Sequence, residues 1–282
     1  MKAMHIRQPA VSGLFYPADP TLLSLHIDSL LDEHSQAHAG ALPLGVIAPH
    51  AGYAWSGSVA AAAYARLRGH NFRTAVIVSP SHREYFNGIS VFEGDAYRTP
   101  LGLINVDVEL REKLLASRGV IHESSLGHRD EHAIEVHLPF LQRVNPDAKI
   151  LPIVMGDQRA EHCSLLADAL AASVNPANTI IIASSDLSHF HDQLTAVGLD
   201  NVAAKDIREG LPMKLLDDLA THRCEACGGG PIAVVLSACA QLGADNVSVL
   251  KQCTSGDVSG DTQRVVGYLS AIVSAAMPGK RP

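Results

Sequence analysis

Three apolar runs in this 282-residue chain are each followed closely by a histidine, the side chain that titrates near neutrality and most often ligates metals. His50 lies in the APHAGY stretch, His82 ends SPSH, and SSDLSH places Asp186 and His189 together. In open α/β sheets ligands gather just beyond the carboxyl ends of strands, so polar residues in such places carry more weight than the same residues elsewhere. A single histidine after a strand is more often a capping or hydrogen-bonding residue. Three at equivalent positions point to one shared site.

A fourth cluster, Cys224-Glu225-Ala226-Cys227-Gly228-Gly229-Gly230-Pro231, precedes a helix whose positive end favours a thiolate, and Cys227 is the better-placed thiol. With no second CxxC pair and no thioredoxin-like context, a zinc half-site or redox dithiol has little support. A buried, inert cysteine is the plain alternative. In the segment His128–His137, His132, Glu135 and His137 read HxxExH, which is neither HExxH nor HxxEH, so a metalloprotease is not indicated. A helix beginning near His132 would put Glu135 and Leu138 on one side, with polar residues of the segment either orienting ligand histidines or standing in solvent. Gly52, Gly57 and the Gly228–Gly230 run fit no nucleotide fingerprint, while Tyr53 and Trp55, close to His50, either line a pocket mouth or pack against loops.

The elements that must hold these residues alternate. Asp19-Pro20 opens a helix with Leu22, Leu23, Ile27, Leu30 and Leu31 at helical spacing. Leu44 to Ala48 reads as a strand and Ser56 as the cap of an alanine-rich helix reaching about Leu67. Strand-like runs recur at Thr74–Val78, Ile150–Val154, Thr179–Ala183, Val247–Leu250 and Val265–Ile272. Helices are expected at Val108–Ala116, Ile134–Val144, His162–Ser173, Leu194–Ile207 and Gly229–Leu242. This order predicts a single α/β domain over residues 1–282, with a mainly parallel, mixed central sheet flanked by helices on both faces.

Hydrophobic residues at 47% and charged residues at 18% supply a buried core and exclude a disordered chain. A net charge of -7 without a basic run argues against nucleic acid as a partner. The amino-terminal stretch lacks a signal peptide's apolar core, and no run approaches a membrane span, so a cytoplasmic location is expected. The five cysteines show no disulfide-framework spacing and are expected to be reduced.

The motifs RQPAVSGLFYPAD, APHAGYAWSG, SPSH, YRTPLG, DEHAIEVHLPF, LPIVMGD, SSDLSHF, CGGGPI and VVGYLSAIV occur in one order along nearly the whole chain. On them the chain resembles the Memo family, which includes protein B of the AmmeMemoRadiSam system. The resemblance implies a fold similar to class III extradiol dioxygenases, which are non-haem iron enzymes. It implies His50, His82 and Cys227 as metal ligands, with Asp186 and His189 lining the same site. Related dioxygenases carry glutamate in place of that cysteine, and animal Memo proteins carry Arg-His in place of Gly229-Gly230.

The leading expectation is therefore a redox protein holding Fe(II), with His189 as general acid/base and Asp186 steering the proton; copper or zinc also suits a thiolate. Two other classes stay open: a binding or adaptor protein that takes a peptide or small ligand, and a cysteine hydrolase built on Cys227, His189 and Asp186. The resemblance also implies a link to the other AmmeMemoRadiSam proteins, including a radical-SAM protein.

Overall fold

The computed structural model describes residues 4–34, 41–117 and 119–275; residues 1–3 and 276–282 of the expected domain lie outside them. Along the chain come β1 (Ile6–Arg7), α1 (Pro20–Asp32), β2 (Gly45–Ala48), α2 (Tyr53–Tyr64), β3 (Thr74–Pro80), β4 (Ile89–Phe92), β5 (Ala96–Thr99), β6 (Gly102–Asn105) and α3 (Val108–Leu115). There follow β7 (Ile121–Ser124), α4 (Leu138–Val144), β8 (Lys149–Met155), α5 (Ala160–Ser173), β9 (Thr179–Ser184), β10 (His189–His191), α6 (Gln193–Arg208) and α7 (Pro212–Ala220). The chain closes with α8 (Gly229–Gln241), β11 (Asn246–Thr254), α9 (Ser255–Ser259) and β12 (Val265–Ser274).

The main sheet runs β10-β12-β2-β9-β3-β8-β4-β7, with β11 on the free side of β12, and β1-β5-β6 form a small second sheet. Its centre, β2-β9-β3-β8, is parallel; β12 pairs antiparallel with β2, and β4 antiparallel with β8. The result is one α/β domain with a mixed sheet. Strand β3 is buried along its whole length, and its side chains alternate between two cores. Val76 and Val78 join the cluster that packs α5 and α8, whereas Ala75 and Ile77 join the one beneath α1, α2 and α4. Such strands read as unbroken apolar runs because both faces are covered.

Several boundaries differ from expectation for local reasons. Helix α2 begins at Tyr53 with Gly52 as its cap, while the Ser56 hydroxyl donates back to Ala51 O at 3.0 Å from inside the first turn. Strand β3 continues through Pro80, because β8 extends alongside it as far as the Pro80–Met155 pair, while the pairing with β9 ends at Val78. In place of one helix from Ile134, a 3₁₀ turn at Glu135–His137 precedes α4, whose first turn holds Pro139. Among the described residues no helix is long and apolar enough to cross a membrane.

Candidate metal centre

The carboxyl ends of β2, β9 and β3 lie side by side, and the loops leaving them carry the expected histidines. His50 follows β2 by two residues and is buried. Its N–H donates to Asp186 Oδ1 at 2.8 Å, and its ring Nδ1 lies 2.7 Å from the hydroxyl of Ser184, the last residue of β9. The other ring nitrogen, Nε2, is 3.2 Å from Cys227 Sγ. His82 follows β3, with Nδ1 3.0 Å from Glu131 Oε1.

Glu131 also organises a residue not expected as a ligand. His132 Nδ1 stands 3.2 Å from the same Oε1, which further accepts the N–H groups of His132 at 2.9 Å and Ala133 at 3.0 Å. Burial alone would raise the Glu131 pKa, but hydrogen bonds from the His82 ring and backbone, and from Ala133, hold the carboxyl at about 2. One fixed anion thus faces two imidazoles and leaves the Nε2 of each without a hydrogen bond among the described residues, the arrangement that orients ligand histidines in metal sites. Ring centroids are 5.0 Å apart for His50 and His82, 5.3 Å for His50 and His132, and 4.8 Å for the stacked His82 and His132.

One donor atom from each of His50, His82 and His132 lies within 4.8 Å of the others. Nitrogens bound about 2.1 Å from a metal stand roughly 3 to 3.5 Å apart, so small side-chain movements close this set on an ion. The 3.2 Å between His50 Nε2 and Cys227 Sγ already matches the spacing of neighbouring nitrogen and sulfur ligands. The donor set therefore fits a transition metal. Burial pushes His50 well below its usual pKa, and burial together with its neighbours brings His132 to about 4, so both rings are neutral and able to ligate near neutrality.

Cys227 meets the cluster through His50 and is not one of the three mutually close donors. Its N–H donates to Asp186 O at 3.2 Å, and a Cβ on the following Gly228 would sit 2.2 Å from Ser184 O, so only glycine lets this turn close against β9. Burial pushes the thiol well above its usual pKa, with Asp186 adding to the shift. This burial outweighs the expected helix effect; at the helix start Gln158 Oε1 accepts Gly230 N–H at 2.8 Å and its Nε2 donates to Cys227 O at 2.8 Å. Without metal the group is a thiol.

Asp186 is buried, and desolvation lifts its carboxyl to about 7 against the opposing hydrogen bond from His50. His189 begins the short edge strand β10, where its N–H lies 3.3 Å from Glu225 Oε2; burial lowers its pKa. The pairing register with β12 shifts between His189 and His191, and the intervening Phe190 has φ 65°, a bulge that re-aims the histidine. Beside the centre lies a cavity of about 620 Å³ whose walls include Gln158, Leu187, His189, Leu216, Leu219 and Cys227. A Cβ on Gly230 would stand 2.7 Å from Gln158 Cβ, so larger residues there would crowd this cavity.

Two residues near the motifs serve elsewhere. Glu135 turns away from the histidines and accepts from the Arg7 guanidinium, the Ala10 and Val11 N–H groups and the Tyr16 hydroxyl. Tyr53 is buried, donates to Val136 O at 2.7 Å and packs on Phe140, so it is a core residue and not a pocket mouth. His132 was legible only as part of the HxxExH segment, where its tie to Glu131, its own neighbour in sequence, offered no periodic signal.

The family described as Memo-like protein matches residues 7–272. The chain belongs to this family. A MEMO1 family protein of Methanosarcina mazei is 41% identical over 280 residues, covering 96% of this chain and 100% of the relative. Another from Thermotoga neapolitana is 38% identical over 283 residues, covering 95% and 100%. The crystal structure of an uncharacterized Escherichia coli K12 protein matches with TM-score 0.53 and 13% identity, over 82% of this chain and 99% of that one. That likeness is one of fold. Within the Memo-like fold, the histidine-bearing loops leave three adjacent parallel strands.

Proposed function

We propose that the chain is a non-haem iron redox enzyme of the extradiol-dioxygenase type, acting on a small molecule held in the cavity beside Cys227 and His189. The observation that carries this reading is the convergence of His50, His82 and His132 within 4.8 Å of one another, with Cys227 3.2 Å from His50. His50, His82 and Cys227 are the ligands and His132 a further donor. Fe(II) in such a site would supply electron transfer between substrate and dioxygen, and imidazoles with one anionic ligand suit it.

The remaining roles belong to the protein. His189, kept neutral by burial, accepts a proton from the substrate as it enters the cavity. Asp186, with a pKa of about 7, holds the His50 backbone and sets the charge beside Cys227. Leu187, Leu216 and Leu219 exclude water from the substrate's apolar part. The acidic charge and free thiols fit the cytoplasm, where the radical-SAM member of the AmmeMemoRadiSam system would be at hand.

The test is elemental analysis of untagged protein purified without oxygen. One iron per chain is expected, lost in His50→Ala and in His82→Ala with circular dichroism unchanged, while His189→Ala keeps iron and loses about 10² to 10⁴ in any turnover. Full metal retention in both histidine variants would overturn the centre. Stoichiometric zinc, with no iron taken up on reconstitution, would overturn the redox chemistry.

A further inference from the structure

Behind His50 runs a buried chain of polar groups that the proposed reaction does not use. The Ser184 hydroxyl donates to Ala133 O at 2.6 Å. A hydroxyl has one proton and two lone pairs. The two imidazole nitrogens that meet the same oxygen, His50 Nδ1 at 2.7 Å and His137 Nε2 at 2.9 Å, must then both carry hydrogen. On neutral His137 this leaves Nδ1 as an acceptor, and Nδ1 faces the Tyr64 hydroxyl at 3.0 Å, which donates. On His50 it leaves the lone pair on Nε2, the nitrogen that faces Cys227 Sγ at 3.2 Å.

The opposite polarity fails on the same distances. If Ser184 gave its proton to either imidazole, its oxygen and Ala133 O would face each other at 2.6 Å with no hydrogen between them. His137 and Tyr64 are both buried, so no solvent would relieve a mismatch. Burial also holds His137 at about 3, which keeps it neutral and the donor count unambiguous.

The geometry points to Ser184, His137 and Tyr64 as positioning residues that lock His50 in its Nδ1–H tautomer and present an unprotonated Nε2 to the centre. The effect on metal affinity rests on the proposed centre; the tautomer is a property of the metal-free protein. Glu131 does the corresponding work for His82 and His132, so each of the three rings has its Nδ1 engaged by a partner at its back.

The experiment is two-bond ¹H–¹⁵N correlation of ¹⁵N-histidine-labelled, metal-free protein, together with anaerobic Fe(II) titration against a competing chelator. In the wild type, His50 should show protonated Nδ1 and bare Nε2, and His137 the reverse. Ser184→Ala should disturb the His50 pattern and weaken Fe(II) binding about 10- to 100-fold, and Ser184→Thr, which keeps the hydroxyl, should restore both. A wild-type His50 protonated at Nε2 overturns the inference, as does a folded Ser184→Ala variant that binds Fe(II) like the wild type. If Ser184→Ala does not fold, the wild-type spectrum decides alone. A wild type with the expected tautomers that binds no Fe(II) overturns the metal centre and leaves this assignment standing.

Discussion

His128→Gln should make the protein less sensitive to acid. His128 is buried behind the small sheet, with Nε2 3.2 Å from Ser90 O and Nδ1 2.7 Å from the Tyr97 hydroxyl. Burial is the main cause that lowers its pKa to about 3 from the usual 6.5. Folding therefore requires the neutral ring, while the unfolded chain takes up a proton below about 6.5. A depressed histidine leaves stability intact above the unfolded pKa and removes it as pH falls toward the folded one. Between about pH 7 and about pH 5 the linkage amounts to roughly 2 kcal/mol, at 1.36 kcal/mol per pKa unit. Asp186 acts in the opposite sense: its raised carboxyl, near 7, stabilises the fold below its usual 3.8 and loses that contribution as pH rises through about 7. Total stability thus mixes both signs, and the difference between wild type and His128→Gln isolates the histidine. Glutamine offers an amide N–H toward Ser90 O but cannot titrate. Urea unfolding of both proteins across this range should show the wild type losing about 2 kcal/mol relative to the variant. Parallel pH profiles would refute the premise that a neutral His128 is required.

Glu131→Gln should weaken Fe(II) binding about 10- to 100-fold in chelator competition, because the shared anion behind His82 and His132 is gone; unchanged affinity would remove Glu131 from the centre. Cys227 in metal-free protein should alkylate at least about tenfold more slowly than a free thiol near neutral pH, since the thiolate is the nucleophile and burial disfavours it. Mass-spectrometric footprinting of the five cysteines reads this directly, and a rate equal to that of a free thiol would refute it.

The buried parallel strands were legible because their environment is uniform. Thr74–Val78 and Thr179–Ala183 are apolar on both faces, and β3 and β9 lie at the sheet's centre. The short β5 and β6 have no such signal, because the exposed polar residues Arg98 and Asn105 break the apolar run and pairing between the two strands supplies the rest. Strand β10 is three residues with a bulge and has no pattern of its own, whereas α7 carries Leu215, Leu216 and Leu219 at helical spacing behind Pro212, a helix signal present in the sequence. Within the site, histidines just after apolar strands were visible. Ser184 was visible as part of SSD, but its role depends on Ala133, His50 and His137 meeting it from separate segments. Linear spacing carries no record of that meeting. The expected thiolate at Cys227 gives way to a raised thiol pKa because burial, with Asp186 beside it, outweighs the helix end, and linear sequence does not show how deeply that sulfur is buried.

In the finished sheet β9 lies between β2 and β3, although those two strands come much earlier in the chain. His50 and His82 are therefore spaced by a strand made long after both, and the sulfur beside them arrives later still. Such non-local pairing must be closed before it rewards the chain, which slows folding. A ribosome-bound chain that stops short of β9 holds both histidines without the strand that separates them. The complete donor set thus exists only in a nearly complete fold, and any ion it takes up is selected by the folded protein from the metals then at hand.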